Sequence, residues 1–442
     1  MNFNRTGWFN RYLEFRRQHP LPLELPGGEV RLLERQVVHH EQDQGIYYFL
    51  QPSGMLYGFP VASPLPAHLA PPAAELKSES GVYWILLDSL LACMLADRKY
   101  LTEGLREEEN VLDHVARMVV YFYEQDPLRA REGWSWLMPR LPALLQRRQP
   151  HAAFERILTR RLFDGSELVV PEYTYNGFLF LDLYFCLWWQ RLWLLEPGRR
   201  HEHLAYVYGR QEQVRSALLQ LLVAAAHSSG DVDESERRMF ARFLMSSRLD
   251  AAQQARLRSQ LQQGLTLADV QLPELPWLLR RHLLELTLMT LLADGRLVGL
   301  EHQFVAELVE KLGLWPEELE QCQSALEVFV LNHEATLHFM KGRSQAQRIA
   351  DRLVQRASEA VRRNLHRVVT EVQETAELSA LLTKSLSHPL TAEEKRKVRA
   401  QLLDILKTIP SLAIFALPGG AVILPIVIRL LPFNLLPSAF ED

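Results

Sequence analysis

The sequence predicts an all-α protein, mainly helical and multi-domain, with room for a small β-hairpin near the N-terminus and a kinked apolar C-terminal segment. Three observations lead there. Apolar residues recur at helical spacing from Gly81 onward. An apolar helix, a Gly-containing turn and an amphipathic helix occur twice in succession. Strand-like runs are confined to the stretch before Pro60.

Composition bounds the function classes. With 442 residues the chain can hold several domains, each with its own core. Apolar residues at 48% and charged residues at 23% suit a soluble globular protein with some membrane contact. A net charge of -4 argues against a dedicated nucleic-acid binder, and DNA is not expected as a partner. Cys93, Cys186 and Cys322 are far apart and odd in number, which excludes a disulfide framework or a CxxC zinc site and fits a reducing compartment. Arg5 is not followed by an apolar h-region, so a cleaved secretory signal is not expected.

The N-terminal domain, residues 1–200, opens with its least helical part. Gly45–Leu50 and Met55–Phe59 flank Pro52-Ser53-Gly54 and read as two short strands around a turn, near 45–60. The prolines between Ala62 and Ala73 mark a linker. Val82, Ile85, Leu86, Leu90 and Met94 then share one helical face, as do Val111, Val115, Met118, Val119 and Phe122. Phe178–Leu195 is long enough to span a membrane, but Asp182, Gln190 and Arg191 interrupt it, and each is costly in hydrocarbon. It reads instead as a buried aromatic-rich helix, with Trp188, Trp189 and Trp193 in a core or an interface. His201-Glu202-His203 follows a Pro-Gly break and reads as a solvated linker.

A repeat marks the second domain, 205–335. At one constant offset Leu218 pairs with Leu283, Leu219 with Leu284, Gly230 with Gly295, Val232 with Leu297, Glu236 with Glu301 and Phe243 with Leu308. Val214, Leu218, Leu221, Leu222 and Ala225 form the stripe of the first copy. Leu283–Leu292 is apolar nearly all round, so that helix is expected at the centre.

The turns Gly230-Asp-Val-Asp-Glu-Ser-Glu236 and Ala293-Asp-Gly-Arg-Leu-Val-Gly-Leu-Glu301 resemble the doubled acidic signature of the tellurite-resistance TerB family. The resemblance implies an all-helical domain whose paired turns hold a divalent cation, with Asp231, Asp233, Glu236, Asp294 and Glu301 as the candidate ligands. Ser229 and Val298 stand where the signature has aspartates. Helix capping explains the same residues without a metal. Asp233 and Glu236 have capping-box spacing, Gly230 and Gly295 can end the preceding helices, and first-turn carboxylates suit the helix dipole. A hard cation needs several converging oxygens, which these residues supply only if the two turns meet.

The third domain, 336–442, begins with a basic amphipathic helix read from Gly342 to Leu386. Ile349, Leu353, Ala360, Leu365, Val368 and Val372 step along one side; Arg343, Arg348, Arg352, Arg356, Arg362, Arg363 and Arg367 decorate the others. Those arginines are either a solvated face or a contact to anionic lipid or ribosomal RNA. Thr391-Ala-Glu-Glu394 is a capping box opening another helix. Ile409–Ile428 carries no charge between Lys407 and Arg429, and about twenty such residues cross a bilayer. Pro410, Pro418, Gly419, Gly420 and Pro425 imply a kinked or re-entrant element rather than a plain span. The proline-centred blocks Leu403–Pro410, Leu417-Pro418, Leu424-Pro425 and Leu430–Phe440 resemble the membrane-entry motif of the Letm family, named for leucine zipper, EF-hand and transmembrane features. That resemblance implies a membrane factor linked to ribosome binding or cation/proton exchange.

These features together lead to the expectation of a non-enzymatic interaction or stress protein on a membrane, with most of its chain in the cytoplasm. No Ser/His/Asp, Cys/His, P-loop or dinucleotide motif was found to suggest an enzyme. The expected partners are membrane lipid and either a ribosome or a protein; a divalent cation is the one cofactor suggested.

Overall fold

The computed structural model describes residues 5–21, 32–33, 36–37, 40–58, 80–96, 110–125, 151–163, 176–228, 230, 232, 234–292, 299–333, 343–385, 388–409 and 412. These form sixteen α-helices and one antiparallel pair of two-residue strands, Leu32–Leu33 with Gln36–Val37. The all-α expectation holds. The chain divides into two compact units, Met1–Leu308 and Val309–Asp442.

In the first unit, α1 (Trp8–Gln18) begins after Gly7, and its first-turn amides are capped from far along the chain. Glu155 accepts hydrogen bonds from the Gly7 and Phe9 amides, each at 2.8 Å. Next come α2 (His40–Leu50), α3 (Ser80–Leu95), α4 (Val111–Glu124) and α5 (Ala152–Phe163). The stripes from Val82 to Met94 and from Val115 to Phe122 are buried as their spacing requires.

The expected strands near 45–60 are not formed over 45–58, and residues 59–60 lie outside the described residues. Gly45–Leu50 belongs to α2, and Gln51–Ser53 and Met55–Tyr57 are single 3₁₀ turns separated by Gly54. A short apolar run suits helix or strand equally by periodicity. Here the helix-and-turn path brings the hydroxyls of Tyr47 and Tyr57 to one carboxylate, that of Glu285. Gly58 follows at φ +73°, and a Cβ there would lie 2.5 Å from the Asn176 carbonyl oxygen, so only glycine fits.

α6 (Leu179–Leu195) is the buried aromatic helix anticipated above. Trp188 and Trp189 are buried, and so are Asp182, Gln190 and Arg191. Among the described residues no helix is long and apolar enough to cross a membrane. α7 (Arg200–Ser228) packs against α6, and His201–His203 lies in its first turn rather than in a linker. His203 Nε2 reaches Glu196 at 3.1 Å, and the Tyr121 hydroxyl lies 2.8 Å from His201 Nδ1. Gly230, at φ +119°, follows the end of α7.

The repeat is visible in the helix bounds. α8 (Glu234–Ser246) and α11 (Gly299–Lys311) have 13 residues each, and the offset pairing Leu218 with Leu283 carries one onto the other. Between them run α9 (Ala251–Gln263) and α10 (Trp277–Leu292). Every residue of α10 from Arg281 to Leu292 is buried, which bears out its expected central position. α10 packs against α7 and α2.

The second unit holds α12 (Pro316–Asn332), α13 (Arg343–Arg363), α14 (Leu365–Glu374), α15 (Ala376–Ser385) and α16 (Ala392–Thr408). The single long helix expected over 342–386 is therefore three, broken at Asn364 and Thr375. Asn364 carries the break chemistry: its side-chain amide donates to the Ala360 carbonyl at 2.8 Å, competing with the helical ladder. The apolar stripe continues through both breaks, with Ile349, Leu353, Ala360, Val368, Val372 and, after Thr375, Leu378 and Leu382 buried. The capping box is formed as expected. The Glu394 amide donates to Thr391 Oγ1 at 3.3 Å, and the Thr391 amide to Glu394 Oε2 at 3.0 Å.

Candidate functional site

The acidic turns follow the two buried helices of the repeat, α7 and α10, and lead into α8 and α11. Glu236 is buried in the first turn of α8. Asp231, Asp233 and Asp294 lie outside the described residues, as does the side chain of Glu301. Of the five candidate ligands, only Glu236 is placed in full. No group of three or more His, Cys, Asp or Glu among the described residues is arranged to hold a metal ion.

Beside the first turn is a cleft of about 470 Å³ that no sequence pattern pointed to. Its lining includes His227, Gly264, Thr266, Asp269, Gln303 and Glu307. These come from the end of α7, the segment after α9, and α11, so no local spacing links them. His227 Nε2 lies 2.9 Å from the Leu261 carbonyl. A carbonyl only accepts, so that nitrogen is the donor of the bond. Nδ1 lies on the Gly264 side, 3.9 Å from where a Cβ on that residue would sit. Asp269 accepts from the Thr266 hydroxyl at 2.6 Å, and Gln303 donates to Glu307 at 2.9 Å. The cleft therefore offers acceptors and suits a small polar or cationic group.

The first unit also encloses acidic side chains that tie its helices together. Asp182 of α6 accepts from Gln211 at 2.7 Å and Arg215 at 2.6 Å, and it pairs with Arg161 of α5. Glu285 of α10 accepts from Tyr47 at 2.6 Å and Tyr57 at 2.7 Å. The Arg281 guanidinium lies over the Tyr47 ring at 4.2 Å and the Trp277 ring at 5.0 Å. Asp88 accepts from Tyr12 at 2.6 Å and pairs with Arg16. In the sequence, Asp182 appeared only as a break in an apolar run, and Glu285 as one acid in an apolar helix.

Burial shifts several of these groups. It pushes the Asp43 carboxyl up to about 7, against the pull of Arg191, and the Asp88 carboxyl up to about 6, against Arg16. It holds His282, fully enclosed in α10, down to about 3 and therefore neutral.

In the second unit the basic helix is partly neutralised. Glu327 of α12 is buried between Arg356 at 2.7 Å and Arg352 at 3.7 Å, and Glu320 pairs with Arg363 at 2.5 Å. Three of the seven arginines thus hold α13 on α12. Arg362 and Arg367 are exposed, and the side chains of Arg343 and Arg348 lie outside the described residues.

No curated protein and no solved structure matches the chain. Residues 197–326, covering α7 to most of α12, match the family model described as a protein of unknown function, DUF533. That family is related to the TerB-like one, so the chain carries a DUF533 domain over the helix–turn–helix repeat.

Proposed function

We propose that the protein is a non-enzymatic interaction protein held at a membrane, with most of its chain in the cytoplasm. Its C-terminal run anchors it, and its DUF533 domain binds a protein partner or a cation. The observation that carries the reading is the charge-free stretch Ile409–Ile428 at the end of α16. The proline-spaced blocks that resemble the Letm motif support insertion as a kinked element. Ribosome contact or cation/proton exchange is the alternative role that this resemblance suggests. Most of the run lies outside the described residues, but its first part is anchored: Ile409 and Leu412 are both buried. That burial favours a second reading, in which protein rather than lipid covers the run.

Carbonate and detergent fractionation separates the two. The full chain is expected in the carbonate-resistant pellet, released by detergent, and a chain lacking Pro410–Asp442 in the soluble fraction. A full chain that is soluble without detergent overturns the membrane reading and leaves the run as core.

A further inference from the structure

We propose that the cleft bounded by the end of α7, the segment after α9, and α11 takes a primary ammonium group carried on an alkyl stem. The proposal rests on the binding role given to the DUF533 domain above and is independent of the membrane reading. The cleft holds about 470 Å³, room for a short chain rather than for a bare ion.

Its fixed charge has one sign. Asp269 and Glu307 both line it, and no Lys or Arg does. Asp269 also caps its own 3₁₀ turn, accepting from the Thr266 amide at 3.1 Å and the Thr266 hydroxyl at 2.6 Å. Glu307 is therefore the carboxylate assigned to the guest. Much of the donor capacity of the lining is committed within the protein. Ser228 Oγ donates to the Ala225 carbonyl at 2.7 Å, Gln303 to Glu307 at 2.9 Å, and His227 Nε2 to the Leu261 carbonyl at 2.9 Å. Such a lining suits a guest that brings its own protons, and an ammonium brings three. Leu267 and Phe304, both buried, add apolar surface for the methylenes of a stem.

Two other cations fit less well. A hard metal ion needs several converging oxygens, and no three His, Cys, Asp or Glu among the described residues are grouped to hold one. A guanidinium gains most by gripping both oxygens of a carboxylate, and Oε1 of Glu307 already accepts from Gln303. An ammonium is a compact point charge and needs only one oxygen. The same head and stem occur in free alkyl diamines and in the lysine side chains of a protein partner.

The test is a ligand-observed NMR titration of the full chain with n-butylammonium, ethylammonium, cadaverine and N-acetyl-lysine methylamide, with n-butanol as the uncharged control. Thermal melts with Ca²⁺ or Mg²⁺ run alongside. n-Butylammonium is expected to bind and n-butanol not to. Ethylammonium is expected to bind about tenfold more weakly, at about threefold for each methylene lost. Glu307→Gln keeps the length of the side chain and an acceptor for Gln303, and is expected to weaken n-butylammonium binding about tenfold. Glu310→Gln makes the same charge change on α11 outside the lining and is expected to alter binding less than about twofold. Melts of both variants should match the wild type, because both positions are exposed. N-acetyl-lysine methylamide binding as tightly as n-butylammonium assigns the site to a partner's lysine; cadaverine binding without it assigns the site to a free diamine. Failure of every amine overturns the proposal, and stabilisation by Ca²⁺ or Mg²⁺ in that case leaves the domain's cation role standing. Equal losses from the two glutamate variants, or equal binding of n-butylammonium and n-butanol, also overturns it.

Discussion

Both carboxylate oxygens of Glu285 are engaged, by hydroxyls more than two hundred residues away along the chain. Glu285→Ala would remove the acceptor that both buried phenols share, and urea unfolding should register a loss of about 3–5 kcal/mol. Tyr57→Phe removes one donor and should cost about 1–2 kcal/mol in the same assay; similar losses from both would show that Glu285 is not the hub. Asp43 gives this unit a pH signature. Its folded carboxyl titrates near 7, against 3.8 ordinarily, so between those values the folded state holds a proton that the unfolded chain releases. Stability from this group therefore falls as pH rises through that window. His282 acts oppositely: with its folded value near 3 against 6.5, its contribution rises with pH between them. Asp43→Asn removes only the first effect, so the variant should gain on wild type as pH rises from about 4 to about 7. A difference that does not change with pH would show that Asp43 does not titrate there.

At the scale of elements, local chemistry was a good guide wherever it acted through the backbone. Thr391 and Glu394 form the reciprocal pair that their spacing implied, and the repeat offset reproduces the bounds of α8 and α11. It failed at Asn364 and Thr375, because the buried stripe persists across both breaks and no Gly or Pro marks either one. It failed at 45–57 because six apolar residues cannot reveal their own period. The acidic turns supply the prediction at this scale. If Asp233 only caps α8, Asp233→Asn should leave thermal stability within a few tenths of a kcal/mol, since Asn caps nearly as well. Melts of wild type and variant with and without Ca²⁺ or Mg²⁺ check this. An ion-dependent rise in the wild type that the variant loses would assign the turns to a cation instead.

For the whole molecule, the DUF533 match covers only part of what its helices need. α7 packs on α6, and Glu285 takes its partners from α2 and the turn after it, all before residue 197. A fragment of residues 197–332 is therefore expected to bind an apolar dye and melt broadly, while the full chain melts cooperatively. A sharp, dye-free transition in the fragment would make the repeat an autonomous domain.

The sequence by itself determined the all-α class, the doubled helix–turn–helix unit, the central place of α10, the capping box of α16 and the charge-free run after it. Each of these is written in the spacing of neighbouring residues, where helical periodicity and cap chemistry act directly. Only the tertiary structure decided that Asp182 and Glu285 join distant helices, that three arginines of α13 are consumed by α12, and that His227 borders a cleft with residues of two other segments. Those outcomes depend on which helix faces meet. Burying a charge far from water then leaves a partner on another element as its only compensation, and no local pattern says where that partner lies.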